Sequence, residues 1–160
     1  MDELDRERER VAAEERELLF ESFSNDEALE LGLALCEKAR SRKLPIAIDI
    51  ERGGQRLFHF AAEGSAPDNA CWIERKKNLV KRVFKSSYAV GLKLKAEHRT
   101  LEQSMEVSTE HLAAHGGCFP IFVRGVGFVG TVAVSGLPQK EDHDLLVEAL
   151  REHLARGRAR

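Results

Sequence analysis

The stretch HGGCFPIFVRGVGFVGTVAVSGLPQKEDHDLLVEAL, residues 115–150, decides the fold of this chain. Residues 118–124 and 128–135 are rich in β-branched and aromatic side chains and are apolar on both faces, which predicts two strands that are covered on both sides. Glycines between the two runs favour a tight turn. The acidic residues Glu141, Asp142 and Asp144 then follow Pro138, as suits the positive end of a helix dipole, and apolar residues recur at steps of three and four. The stretch therefore predicts a hairpin followed by a closing helix.

A second hairpin is predicted in residues 45–62, where a Gly-Gly pair separates two runs of alternating polarity. Such a pair accepts positive φ at both positions of a two-residue turn. With this turn and a regular register, His59 falls on the face of Ile48, and Asp49 falls on the face of Phe58. A carboxylate on an aromatic face should lie at an edge or be paired with a cation.

Helical periodicity surrounds the two hairpins. The pattern predicts helices over residues 2–21, 25–42 and 68–84 and from Ser108 to the glycine pair 116–117, whereas residues 86–97 are too mixed in period to assign. The order of elements predicts an α+β domain, with an antiparallel sheet of four or five strands flanked by helices on both faces in profilin-like α/β/α layers. Residues 1–22 are interpreted as a charged helix and a candidate oligomerisation arm, and residues 23–157 as the domain.

Length and composition narrow the class of protein. A chain of 160 residues is long enough for one core, and a net charge of −2 offers no bulk attraction for nucleic acid or a membrane. The three cysteines are odd in number and far apart, so a disulfide framework is not expected. The amino-terminal residues are charged and no apolar run approaches the length of a membrane span, so we expect a cytoplasmic protein.

One lysine interrupts the apolar stripe of the helix predicted over residues 68–84. Lys76 follows Trp72 by four positions and precedes Val80 by four, so it occupies a core position. An unpaired charge there is costly, so the ammonium either pairs with Asp49, extends to solvent, or binds an anionic ligand. Arg75, and Asn69 one turn earlier, would add donors to such a site, and the remaining basic residues of the helix are interpreted as a solvated face.

Two histidines suggest a metal site as a weaker alternative to an anion-binding site. His111 and His115 are four residues apart on the helix predicted before the glycine pair, and this spacing allows two imidazoles to share a metal ion. No third ligand is placed by the sequence. A histidine in a last helical turn more often favours the negative end of the helix dipole, so no metal site is assigned.

Two blocks of the sequence resemble a known family. WIERKKNLVKRVFKSSY at residues 72–88 and GGCFPIFVRGVGFVGTVAVSGLPQKEDHD at residues 116–144 resemble the haem-degrading-domain family, also called HbpS-like or GlcG-like. The resemblance implies an antiparallel sheet between helices and assembly into a homo-oligomer. In some members it also implies haem binding linked to oxidative haem breakdown, whereas other members have no established activity.

Three functions follow from these observations. The first is binding of haem or of a small anionic ligand, with weak or no haem breakdown; haem would take an iron ligand from His59, Tyr88, His98, His111 or His115 and propionate partners from Arg75, Lys76 or Arg124. The second is a small-molecule enzyme of unknown substrate that uses acid–base groups around one pocket, namely Arg75, Lys76, His115, Ser135 and His143. The third is a non-enzymatic oligomeric scaffold or partner-binding module. The candidate ligand-binding residues are Trp72, Arg75, Lys76, His115, Gly116, Gly117, Arg124, Ser135 and His143.

Overall fold

The computed structural model describes residues 1–158 and contains one antiparallel sheet between helices. The strands are β1 (Ala47–Arg52), β2 (Gln55–Ala61), β3 (Cys118–Val123) and β4 (Gly127–Ser135), in the order β2-β1-β4-β3. The helices are α1 (Glu3–Glu17), α2 (Asn25–Ser41), α3 (Pro67–Val83), α4 (Ser87–Ala96), α5 (Leu101–Met105) and α6 (Gln139–Arg158). The predicted α+β architecture is confirmed, with four strands.

The two faces of the sheet bury different chemistry. On one face, α2 and α6 pack on a wholly apolar layer that includes Ile48, Phe119 and Val134. On the other face, α3 packs on smaller residues such as Ala133, and charged side chains lie between the helix and the sheet. The two-sided apolar pattern of β3 and β4 follows from this covering on both faces.

A buried charged layer lies between α3 and β1. The ammonium group of Lys77 is 2.9 Å from Asp49 Oδ1 and 3.1 Å from Glu51 Oε1, and Arg56 Nε donates to Asp49 Oδ2 at 2.8 Å. Burial opposes the charge of Lys77, but the hydrogen bonds and charges of Asp49 and Glu51 outweigh it and raise the pKa of this lysine. The interpretation of Lys77 as part of a solvated face is wrong, because β1 places carboxylates beneath it.

The predicted assignment of side chains to the two faces of the first hairpin is also wrong. Its turn has two residues, as expected, but the register shifts after the first two pairs, and Ile50 then faces Phe58 and Asp49 faces His59. A β-bulge of one residue exchanges the two faces of the rest of the strand. The bulge places the imidazole of His59 3.6 Å from the Asp49 carboxylate, and both lie beside the charged layer.

The segment before β3 is not helical. Residues 106–117 form a turn and an irregular connection, whereas the sequence predicted a helix from Ser108. The backbone of this segment bonds to α3 instead, since Ala113 N–H donates to Arg75 O at 3.1 Å and Asn78 Nδ2 donates to His111 O at 3.0 Å. Residues 86–97, which had no assignment, contain α4.

The amino-terminal helix packs within its own chain. Val11 of α1 is fully buried against Tyr88 and Leu92 of α4, and the chain then continues to Phe20, which forms a short parallel bridge with Val123 at the edge of the sheet. The predicted apolar stripe is therefore used for packing on the domain. A role of α1 as an oligomerisation arm stays a prediction.

Candidate functional site

A pocket of about 290 Å³ opens at the end of the sheet where β4 stops and β3 starts. The beginning of α3, the loop after β4 and the first turn of α6 meet around it. Its walls are formed by Asp68, Asn69, Trp72, Lys76, His115, Ser135, Gly136, Leu137, Gln139 and Asp142. A pocket of this size suits a small molecule, near the lower end of the range of about 300–1,000 Å³ that ligand sites occupy.

The ammonium group of Lys76 forms part of the pocket wall. The residue is only 3% exposed, and its Nζ donates to Val134 O at 3.3 Å and to Asp142 Oδ2 at 3.4 Å. Both distances exceed the roughly 2.7–2.9 Å of strong charge-assisted hydrogen bonds. Burial lowers the pKa of Lys76, and the attraction of Asp142 opposes that shift. The charge is therefore held in place with weak partners.

Asp142 is held by the loop that it faces. Its Oδ1 accepts a hydrogen bond from Leu137 N–H at 3.0 Å, and its Oδ2 accepts one from Gly136 N–H at 3.4 Å. Burial nevertheless raises the pKa of Asp142 to about 6, against the attraction of Lys76. The carboxylate is thus mostly ionised at neutral pH and becomes neutral in mildly acidic solution, which would leave Lys76 without a counter-charge.

Gly117 makes room for this pair. The residue has a φ of +128°, and its carbonyl accepts the Val134 N–H at 2.8 Å. A Cβ atom at this position would lie 2.5 Å from Val134 O and 2.6 Å from Lys76 Nζ. The glycine therefore serves both the backbone conformation before β3 and the space that the ammonium group occupies.

Aromatic rings form the outer wall of the pocket. The rings of Trp72 and His115 meet edge to face with centroids 5.2 Å apart, and the Arg75 guanidinium lies 4.4 Å from the centroid of the Trp72 ring. Partial desolvation of the ring against Trp72 lowers the pKa of His115, and the charges of Lys76 and Arg75 lower it further. The imidazole is therefore neutral at neutral pH.

The contact between Trp72 and His115 predicts a fluorescence change. Trp72 is the only tryptophan of the chain, and a protonated imidazole quenches indole emission. We expect the emission to rise with pH through a midpoint below about 6.5, the ordinary histidine value. His115→Asn should remove most of the step, whereas His111→Asn should preserve it because the His111 imidazole lies beside Glu110 and not against the Trp72 ring. An unchanged step in His115→Asn would contradict the contact.

Several of the predicted site residues come together here. Trp72, Lys76, His115 and Ser135 line the pocket, Arg75 lies on its outer wall, and Gly116 and Gly117 lie directly behind it. The Gly116 N–H donates to Gln139 Oε1 at 3.0 Å, which fixes the glycine pair to the start of α6.

Two predicted residues lie elsewhere. Arg124 is at the opposite end of β3, where its Nε donates to Glu21 Oε1 at 2.7 Å. His143 is fully buried, and its Nε2 is 2.8 Å from Glu14 Oε1. Because consecutive residues of a helix point about 100° apart, His143 faces α1 while Asp142 faces the pocket. His143 therefore anchors α1 to α6.

The helical spacing on which a metal site at His111 and His115 depended is not present in the structure. His111 and His115 were expected one helical turn apart, but the segment that carries them is not helical. Within residues 1–158, no group of three or more His, Cys, Asp or Glu side chains is arranged to hold a metal ion.

Asp142 was not predicted from the sequence as a member of the site. The residue was interpreted as one of the acidic residues that favour the positive end of a helix dipole. The position of Asp142 in the sequence did indicate a contact with the loop, since the residue comes shortly after the Ser-Gly-Leu-Pro-Gln segment. A carboxylate at that distance can accept hydrogen bonds from the loop backbone, as Asp142 does.

Comparison with known proteins confirms the family that residues 72–88 and 116–144 resemble. The architecture and pocket define an α+β protein with a small-ligand cavity at one end of an antiparallel sheet. The model of the family described as haem degrading protein HbpS-like matches residues 23–151. The chain belongs to this HbpS-like family.

The chain is similar to one relative and to two solved structures over most of its length. A UPF0303 protein of Streptomyces coelicolor is 53% identical over 141 residues, which cover 88% of this chain and 89% of the relative. The crystal structure of the Ybr137w protein has 32% identity and a TM-score of 0.82, covering 89% of this chain and 84% of that one. The crystal structure of a PduOC:heme complex has the same fold, with a TM-score of 0.68 at 14% identity over 81% of this chain and 94% of that one.

No helix in residues 1–158 combines the length and the apolar composition needed to cross a membrane.

Proposed function

We propose that the pocket binds a small anionic molecule whose carboxylate or phosphate group contacts Lys76. The observation that carries this proposal is the buried ammonium group in the pocket wall, whose two protein acceptors lie at 3.3 and 3.4 Å. An ammonium group has three N–H donors, so two long contacts leave capacity for a further acceptor. A ligand anion at this place would complete the coordination of a charge that the fold has already desolvated.

The carboxylate beside Lys76 sets the conditions for binding. Asp142 neutralises Lys76 when it is ionised, but the pKa of Asp142 is raised to about 6, so its charge is lost more easily than that of an ordinary aspartate. An anionic ligand would raise this pKa further. Binding should therefore be coupled to proton uptake by Asp142 and should strengthen as the pH falls.

A fluorescence titration tests this proposal. We expect sulfate, which keeps its charge across the range, to change the Trp72 emission in a saturable manner, with an affinity that rises several-fold between about pH 8 and pH 5.5. The ionic strength is held constant with chloride. Lys76→Met should weaken binding roughly tenfold or more, since a hydrogen bond to a charged group contributes about 1.5–3 kcal/mol.

The matched control is Lys81→Met, which removes a cation from the same helix outside the pocket. Asp142→Asn should flatten the pH dependence. An affinity for sulfate that is the same in Lys76→Met and in the unmodified protein would contradict the proposal.

Haem is the second candidate ligand. The observation in its favour is the neutral imidazole of His115 at the pocket rim, in a protein that shares its fold with the PduOC:heme complex. The Lys76 pocket alone does not enclose the whole group, however, because haem is larger than the drug-sized ligands that pockets of about 290 Å³ begin to enclose. Haemin titration distinguishes the two ligands: a Soret shift that is lost in His115→Ala would favour haem.

The other functions receive less support from the geometry. An acid–base group formed by Lys76, His115, Ser135 and His143 is not assembled, because His143 points away from the pocket. The neighbour of Ser135 Oγ is the Asn69 amide at 3.5 Å, which is not a base. The scaffold function and assembly into a homo-oligomer stay predictions, which light scattering would test.

A further inference from the structure

A second cavity adjoins the pocket on the other side of His115. It measures about 460 Å³ and lies between α3, α4, α5 and the irregular segment before β3. His115 and Gln139 line both cavities, so these two side chains form the boundary between them. Both side chains are solvent-exposed, so the boundary between the two cavities lies at the surface and is not part of the packed core.

The second cavity has three cations and an apolar floor. Arg75, Lys95 and Arg99 line it together with one carboxylate, Glu102. Among residues 1–158, however, none of these three cations forms an ion pair within 4.0 Å, with Glu102 or with any other carboxylate. Arg75 Nε donates to Thr109 O at 2.8 Å and Arg99 Nη2 to Gln103 O at 2.8 Å, so both guanidinium groups are held by backbone carbonyls. The apolar part of the lining includes four leucines, Leu92, Leu94, Leu101 and Leu112.

The cations of the two cavities differ in whether they have a carboxylate partner. In the pocket, Lys76 has Asp142 as a partner, whereas the cations of the second cavity have no carboxylate partner among the described residues. Unpaired cations that converge on one cavity raise its potential and attract an anionic group. Arg75 also lies over the Trp72 ring, so it joins the wall of the pocket to the second cavity.

We infer that the two cavities form one extended site for a linear molecule with an anionic group at each end, such as an aliphatic dicarboxylate. One carboxylate contacts Lys76, the chain passes His115 and the leucine-lined floor, and the other carboxylate contacts Arg75, Lys95 and Arg99. This inference rests on the proposed function of the Lys76 pocket and specifies its ligand class.

The test compares ligands with one and two carboxylates. Adipate, pimelate and suberate are titrated at about pH 7.5, where both carboxylates are ionised, against hexanoate, heptanoate and octanoate. Trp72 emission reports binding. We expect at least one dicarboxylate to bind roughly tenfold more tightly than the monocarboxylate of the same length, because of its second charged contact.

Variants of the exposed cations locate the second contact. Lys95→Gln combined with Arg99→Gln should abolish the advantage of the dicarboxylate and weaken the monocarboxylate far less, and both residues are exposed, so the fold should be preserved. Lys93→Gln, an exposed cation on the same helix outside the second cavity, is the matched control. Lys76→Met should weaken both ligand classes.

The outcomes separate the two proposals. A dicarboxylate advantage that is absent, or that persists in the Lys95 and Arg99 double variant, overturns the extended site but leaves the Lys76 pocket supported if monocarboxylate binding still depends on Lys76. Monocarboxylate binding that is indifferent to Lys76→Met overturns the pocket itself, and the extended site with it.

Discussion

Replacing Lys77 by methionine is expected to lower the free energy of unfolding by about 3–5 kcal/mol. The ammonium group is 2.9 Å from Asp49 and 3.1 Å from Glu51, and the lysine is 1% exposed. Methionine fills a similar volume but leaves the two carboxylates with fewer cations in a low-dielectric layer. Removing one partner of a buried charged group costs far more than the group contributes as a whole, because the remaining charge is not solvated.

Urea unfolding followed by circular dichroism measures this effect. Lys81→Met is the control, because Lys81 contacts the same Glu51 carboxylate at 3.2 Å but its side chain is 37% exposed. We expect this control to cost about 1 kcal/mol or less, as exposed ion pairs do. Equal losses in the two variants would contradict the assignment of Lys77 to a buried layer.

The second large effect is expected from Gly117→Ala, at roughly 3 kcal/mol or more. An alanine would have to adopt a φ of +128°, and its Cβ would press against Val134 O at 2.5 Å and Lys76 Nζ at 2.6 Å. The backbone oxygen belongs to a central strand and cannot move easily. The ammonium group can move, so the variant should lose anion affinity as well as stability.

Gly125→Ala separates crowding from backbone strain. Gly125 also has a positive φ, +74°, but an added Cβ would have no neighbour within 4 Å. We expect a loss of about 1 kcal/mol there and no change in anion affinity. A Gly117 variant that unfolds at the same urea concentration as the Gly125 variant would show that crowding against Val134 and Lys76 adds nothing to the cost of the backbone conformation.

The sheet and its layers could be predicted because their signals are local and repeated. Two glycine-bearing turns between apolar runs specify the hairpins, and the doubly apolar pattern of residues 118–135 requires covering on both faces. The bulge in the first hairpin could not be predicted, because it depends on how β2 packs against its neighbours. That single irregularity exchanged the predicted positions of His59 and Phe58.

The candidate site was only partly predictable for a similar reason. Lys76 was identified because it interrupts an apolar stripe, which is a property of one helix. Asp49 was one of the alternatives considered for its partner, but Asp49 pairs with the adjacent Lys77, and Lys76 pairs with Asp142. The two lysines differ by one helical step and face different strands, and only the three-dimensional arrangement decides which carboxylate each one meets.

Irregular segments limited the remaining predictions. The histidine spacing before β3 suggested a helical face, but the backbone there bonds to α3 and has no helical period. The second cavity is bounded by that same segment, so no periodic pattern indicates it. Lys95 and Arg99 carry no signal that distinguishes them from an ordinary solvated surface.

Calorimetric titration of sulfate into the unmodified protein and Lys76→Met, side by side at about pH 6, tests the central claim most directly. The anion should bind the unmodified protein at one site with uptake of protons, because it raises the pKa of Asp142, and Lys76→Met should weaken that binding roughly tenfold or more. Equal affinities in the two proteins, or binding without proton uptake, would contradict the claim that the buried ammonium group receives the ligand.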